Sequence, residues 1–268
     1  MKKVKFYALS LFVMASVSLF FVSCDDNDDS AKTSRVAVRM TDAPGDYEEV
    51  NVEVLDVLIK STSSTDEQGW VSIGNITPGI YNLLDLTGGV NVLLADNDVP
   101  SGNLGQIRLL LGTNNTVKKD GVIHTLNTPS AQQSGLKLQI NQTLVAGATY
   151  DFLLDFDVEH SVVVQAGGSG NYNLHPVIRV STTANSGVIK GSVVPVPVGV
   201  QVLASVQVGD TPVSAYMNEQ GLFQLNGIPA GTYTVTLTPE ATSGLVAQSI
   251  LGVVVVNGEI TNMTSVTF

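Results

Sequence analysis

The 268-residue chain sets 24 acidic side chains against 13 basic ones, a formal charge of −11, and only 14% of it is charged. No basic patch survives that balance, which excludes nucleic acid as a partner. The single cysteine, Cys24, excludes an internal disulfide, so the cores must hold by packing alone.

Met1-Lys2-Lys3-Val4-Lys5 leads into "FYALSLFVMASVSLFFVS". A positive start followed by a short apolar core describes a secretory signal over residues 1–23, at the short end for a membrane span. Cys24 stands at the end of this core. Asp25, Asp26, Asn27, Asp28 and Asp29 follow at once. Such a run cannot bury apolar surface, and residues 24–33 are expected to form a solvated tether. The Asp-x-Asn-x-Asp spacing loosely resembles a calcium loop, but the turn glycine and flanking helices are missing.

Strand patterns dominate the rest. "VNVEVLDVLI" puts Val50, Val52 and Val54 on one face, and "TYTVTLT" alternates Tyr233, Val235 and Leu237 with threonines. Strict alternation predicts half-buried strands. "GVNVLLADN" is the best candidate for a helical turn or two. "TPGIYNLLDL", "VPSGNLGQIRLLL" and "IPAGTYTVTLT" each set Pro and Gly before an apolar run, the chemistry of a turn entering a strand. The small, polar "STTANSG" at residues 181–187 reads as a linker. The expected fold is all-β: two β-sandwich domains in tandem, over 34–183 and 187–268. About seven short strands in the second suit a small immunoglobulin-like sandwich.

Chemistry-bearing residues are few. "DFDVE" alternates Asp155, Asp157 and Glu159, so a continuous strand would stack three carboxylates on one face. Something positive is then needed among them. Calcium, with Asp42 or Asp46 assisting, is one reading. Arg108 or Arg179, each inside an apolar strand, is the other, since a buried arginine needs a carboxylate. A solvated face is the third. Trp70 is either core or a sugar-stacking platform. His124, His160 and His175 lack paired metal-ligand spacing. Ser134 and Lys137 make a poor Ser/Lys pair on a predicted strand. No catalytic residue is assigned, and the chain reads as a non-enzyme.

Four resemblances add to this. Phe21-Val22-Ser23-Cys24 is similar to the lipobox of bacterial lipoproteins, with Phe21 where Leu is usual. That implies cleavage before Cys24 and lipid on its sulfur. The aspartates behind it resemble a surface-export signal, which implies an outer-membrane protein anchored in the bilayer and facing outward; a periplasm-facing protein is the alternative. "MTDAPGDYEEVNVEVLDVLI", "YNLLDLTGG", "LLDFDVEHSVV" and "YNLHPVIRV" in this order resemble the bacterial family called domain of unknown function 4382, which implies an extracytoplasmic protein and no activity. Asn218, Gly221, Phe223, Gly227, Ile228, Pro229, Ala230, Gly231 and Tyr233 resemble the carboxypeptidase regulatory-like domain, a transthyretin-like sandwich of carbohydrate-binding-like fold.

The leading expectation is a binding or adhesion module, with carbohydrate as ligand; a structural or accessory subunit with protein partners at the surface is the alternative. A sugar binder needs Trp70, Tyr47, Tyr81 or Tyr172 accessible in a groove. A structural subunit needs an open sheet edge or an apolar patch. A hydrolase needs Asp155, Asp157 and Glu159 free of arginine.

Overall fold

Valine-rich alternation builds the first strands, Thr33–Ala43 (β1) and Glu49–Lys60 (β2). Val50, Val52 and Val54 of β2 are buried while Asn51 and Glu53 face outward. The computed structural model describes residues 32–43, 45–63, 65–129, 135–164 and 171–268. Cys24, the aspartates after it and Ser134 lie outside the described residues.

Four sheets account for the described strands. One runs in the order Ile178–Thr182 (β13), Thr149–Asp157 (β10), β1 and Val92–Pro100 (β5), with β1 and β10 parallel. A second runs Val162–Val164 (β11), Tyr172–Leu174 (β12), Val122–Asn127 (β8), Thr116–Lys119 (β7), β2, Gly102–Leu111 (β6) and Leu136–Leu144 (β9). Val71–Ser72 (β3) and Gly79–Asn82 (β4) also pair with β2. Between these two sheets lies a core that includes Met40, Leu94, Ile107, Leu126, Phe152 and Phe156, each less than 2% exposed. Burying each large apolar side chain contributes about 1.5–3 kcal/mol.

After residue 186 the chain forms two further sheets. Leu222–Ile228 (β17), Gly187–Ser192 (β14) and Ile260–Asn262 (β20) make one. Thr211–Tyr216 (β16), Val202–Val208 (β15), Gly231–Pro239 (β18) and Gln248–Val255 (β19) make the other. A separate core of Ile189, Phe223, Leu225, Val235 and Leu237 fills the space between them. Phe223 is buried, and Tyr233 packs against this core while its hydroxyl donates to Pro229 O at 2.9 Å. The expected all-β fold of packed sheets is what the chain adopts.

One local expectation is corrected. "GVNVLLADN" is not helical: from Val92 it is the strand β5, because β1 offers it a ladder along its whole length. Of the helical turns among the described residues, two lie where Asx side chains cap them, while Ala241–Ser243 has no side-chain cap. Asn82 accepts from Leu84 N at the 3₁₀ turn Leu83–Leu86, and Asp157 accepts from His160 N at Val158–Ser161 (α1). The stretch "STTANSG" joins the last strand of the first sandwich to the first strand of the second. Ser181 and Thr182 end β13, Gly187 opens β14, and the buried Ser186 hydroxyl donates to Thr182 O at 2.7 Å.

The two sandwiches touch, and Lys32–Phe268 form one compact unit. β1 is buried on both faces: Val36, Val38 and Met40 face the core, and Ala37 and Thr41 face the other way. Gly89, at φ 96°, lies so close to Gln224 that a Cβ there would sit 2.6 Å from its side chain.

Edge strands among the described residues are blunted. Register shifts place an extra residue in β5, β9, β17 and β19, each at the edge of its sheet. The remaining edges are short, at three residues in β11 and β20 and five in β13, or carry a proline, Pro212 in β16. Bulges, prolines and short edges oppose pairing with another chain.

Candidate binding site

Asp155, Asp157 and Glu159 do not stack on one strand face as expected. The strand ends at Asp157, which turns to cap α1, and Glu159 lies on that helix. Asp155 points out of the sandwich core, opposite Arg179 in the register of β10 and β13. Arg179 Nη2 donates to Asp155 Oδ2 at 2.5 Å and to Asn226 O at 2.8 Å, and Nη1 donates to Gly227 O at 2.5 Å. The bulge in β17 falls between Ile189 and Gly187 of its partner strand and turns the Asn226 and Gly227 carbonyls toward this guanidinium. Arg179 therefore ties the first sandwich to the second. Burial raises the Asp155 carboxyl above its ordinary value, against the pull of Arg179.

Asp157 pairs with the His160 ring at 2.8 Å and holds the imidazole above its usual range. Asp42 ends the core face of β1, 4% exposed, and its carboxyl oxygens accept no well-formed hydrogen bond. Burial, with Asp155 and Asp157 adding, pushes its carboxyl well above the carboxylate range, and the nearby Val158 N–H opposes this only in part. Among the described residues, no group of three or more His, Cys, Asp or Glu side chains is placed to hold a metal ion.

Arg108 belongs to a different place than "DFDVE". It lies on β6, on the outer face of the other sheet, with its guanidinium 4.0 Å from the Trp70 ring centroid. Its Nη2 donates to Glu67 Oε2 at 2.6 Å, and Glu67 also pairs with Lys137. These two hydrogen bonds, that from Lys137 first, hold the Glu67 carboxyl below its ordinary value. Trp70 thus carries the Arg108 guanidinium against its ring. Tyr81, on β4, donates to Thr77 O at 2.5 Å and is half-buried.

Tyr47 and Tyr172 are brought together. They line an open recess of about 320 Å³ with Asp46, Lys119, Glu159 and Val164. That is the size at which small-ligand pockets begin, roughly 300 Å³. Tyr172 is on β12, its ring centroid 4.9 Å from that of His124. Lys119 ends β7 and reaches over the Tyr47 ring, Nζ 5.4 Å from its centroid. The same Nζ lies 2.6 Å from Asp46 Oδ2, and this bond raises the ammonium above its ordinary value. Burial pushes the Tyr47 phenol up, with Lys119 opposing. Four separate segments supply these residues. Lys119 and Val164 carry no local pattern that marks them, since only pairing of β7 with β2 and of β11 with β12 delivers them here.

Two other clefts, of about 280 and 360 Å³, lie beside the Arg179 contact and share Ser181, Thr182, Ser186 and Gly227. The larger holds the Arg39–Asp151 pair and no aromatic ring. The smaller has only Phe152, which is fully buried.

No curated protein matches the chain. Solved structures similar to it include the Bacillus anthracis TIE protein, at 13% identity over 87% of this chain with a TM-score of 0.22. A leucine-rich repeat protein from Bacteroides thetaiotaomicron is 14% identical over 88% of this chain, TM-score 0.20. The chain spans 33% and 26% of those two proteins. The minor pilin GBS52 of Streptococcus agalactiae is 10% identical, covered for 94% of its length by 86% of this chain, TM-score 0.24. Likenesses at these TM-scores say nothing of what the chain does. The family model is different in kind: it matches residues 33–176, more than half of the sequence, and the chain belongs to the family described as Domain of unknown function (DUF4382).

Proposed function

We propose that the chain is a non-catalytic binding module of the bacterial cell envelope, that its ligand is carbohydrate, and that the ligand is taken in the Tyr47–Tyr172 recess. One observation carries the reading: two half-buried tyrosine rings share an open recess with carboxylate and ammonium groups. Sugars are held by stacking their apolar C–H face on a ring while carboxylates and amines take their hydroxyls. The non-catalytic part rests on the "DFDVE" carboxylates, where Asp155 is engaged by Arg179 and Asp157 by His160. The Cys24 lipid anchor, the outer-membrane location and the transthyretin-like identity of the second sandwich are proposed from sequence. Outward exposure is favoured over a periplasmic orientation by the acidic run behind Cys24.

The alternative, a subunit of a surface assembly, is favoured by exposed Leu251, Val254 and Val256 on β19 and beyond it. The bulges on the sheet edges, β19 included, speak against assembly by strand addition, so it ranks second. The test is a glycan array probed with full-length protein in detergent, with calcium and with chelator. Saturable binding that Tyr47→Ala and Tyr172→Ala abolish is expected. Absence of any glycan signal refutes the carbohydrate reading, and a signal lost only in chelator reopens a metal role.

A further inference from the structure

We infer that the recess selects sugars bearing a free ammonium group, such as a 2-amino-2-deoxyhexose; this rests on the carbohydrate reading above. Two carboxylates, Asp46 and Glu159, line the recess against one ammonium, Lys119. The local balance is negative, in a chain that is itself strongly negative. A cation is drawn to such a place and an anion is turned away.

The chain already shows the chemistry with its own side chain. Lys119 Nζ lies over the Tyr47 ring and against the Asp46 carboxylate at the same time. A ring face joined to a carboxylate is what holds an ammonium: the ring's negative face attracts it and the carboxylate accepts its hydrogen bonds. On the same recess stand a second ring, Tyr172, and a second carboxylate, Glu159. Glu159 is exposed and makes no hydrogen bond or ion pair among the described residues. Its charge reaches as far as Tyr216, whose phenol is raised first by burial and then by Glu159 and Asp46. An incoming amino sugar would stack on Tyr172 and set its ammonium against Glu159. The N-acetylated sugar keeps the ring face and loses the charge. A uronic acid brings a charge of the wrong sign.

The experiment is titration of the full-length protein, in detergent, with three oligosaccharides of equal length and linkage: a glucosamine oligomer, its fully N-acetylated form and the glucose oligomer. The glucosamine oligomer is expected to bind about fivefold tighter than the other two, the advantage shrinking as salt is raised. Glu159→Gln, at an exposed position, should erase that advantage. Lys119→Met should enlarge it, because it removes the internal ammonium and frees Asp46 and the Tyr47 ring for the ligand. Equal binding of all three, lost in Tyr47→Ala, overturns the ammonium selectivity and leaves the carbohydrate reading standing. Weaker glucosamine binding in Lys119→Met overturns the selectivity as well. Binding of none of the three overturns the ammonium selectivity, and the glycan array above then decides the carbohydrate reading.

Discussion

Replacing Arg179 with alanine tests the contact that joins the two sandwiches. The substitution leaves Asp155, 11% exposed, without its partner at 2.5 Å, and strips a donor from the carbonyls of Asn226 and Gly227. Breaking a buried pair by removing one member costs about 3–5 kcal/mol, since an uncompensated charge stays behind. Asp155 escapes part of that cost by taking a proton, as its raised carboxyl allows, so a loss of about 3 kcal/mol is expected. For a unit of this size that lowers Tm by roughly 6–12 °C. Calorimetry reads both the shift and its form. Because Arg179 bonds across the interface, the variant should unfold in two resolved steps where the wild type unfolds in one. Arg179→Met with Asp155→Leu should be less damaging than the two single changes summed, as members of one pair are. A Tm within about 2 °C of wild type, with one transition, refutes the reasoning.

Three further outcomes are expected. Asp42 has a folded carboxyl raised above its ordinary 3.8, so the folded state binds more protons than the unfolded one, and stability falls as pH rises from about 4 toward the folded value. Asp42→Asn should reduce that slope, the raised Asp155 carboxyl keeping part of it, and stabilise the protein at pH 7 by about 1–3 kcal/mol in urea unfolding; a slope unchanged from wild type refutes it. Gly227 has φ 65°, and a Cβ there would lie 2.4 Å from Ser181 Oγ. Gly227→Ala should cost more than about 1 kcal/mol and displace a carbonyl that Arg179 uses, so part of that cost should vanish in the Arg179→Ala background while the backbone strain and the Ser181 contact remain; equal cost in both backgrounds argues against coupling. Cys24→Ala should move the protein from membrane to soluble fractions, and a variant that still sediments with membranes refutes the lipid anchor.

Much of the fold was legible in the residues. The period-two runs at Val50–Val54 and Tyr233–Leu237 bury the side chains that alternation selects, because a strand has no other way to present one apolar face. The Asn218 to Tyr233 stretch places its turn and its core aromatic through local chemistry: Asn218 accepts from the backbone N–H of Gln220 and Leu222, and Phe223 enters the core. The helical reading of "GVNVLLADN" failed because a short apolar run has no period of its own, and the partner strand β1 decided it. "DFDVE" misled for a related reason. Alternation assumes that a strand continues, and Asp157 ends this one by capping a helix.

Sequence alone determined that the chain is all-β and acidic, since composition and alternation act locally and need no partner. It also named Arg179 and Asp155 as residues in need of opposite charge. Only the tertiary structure decided that they meet each other across a bulge, that Arg108 lies instead over Trp70, and that Tyr47, Lys119, Glu159 and Tyr172 share a recess. Those choices depend on the order and register of strands far apart in the chain. Each hydrogen-bonded ladder can form with many partners, and the apolar cores on both sides of β1 select one arrangement.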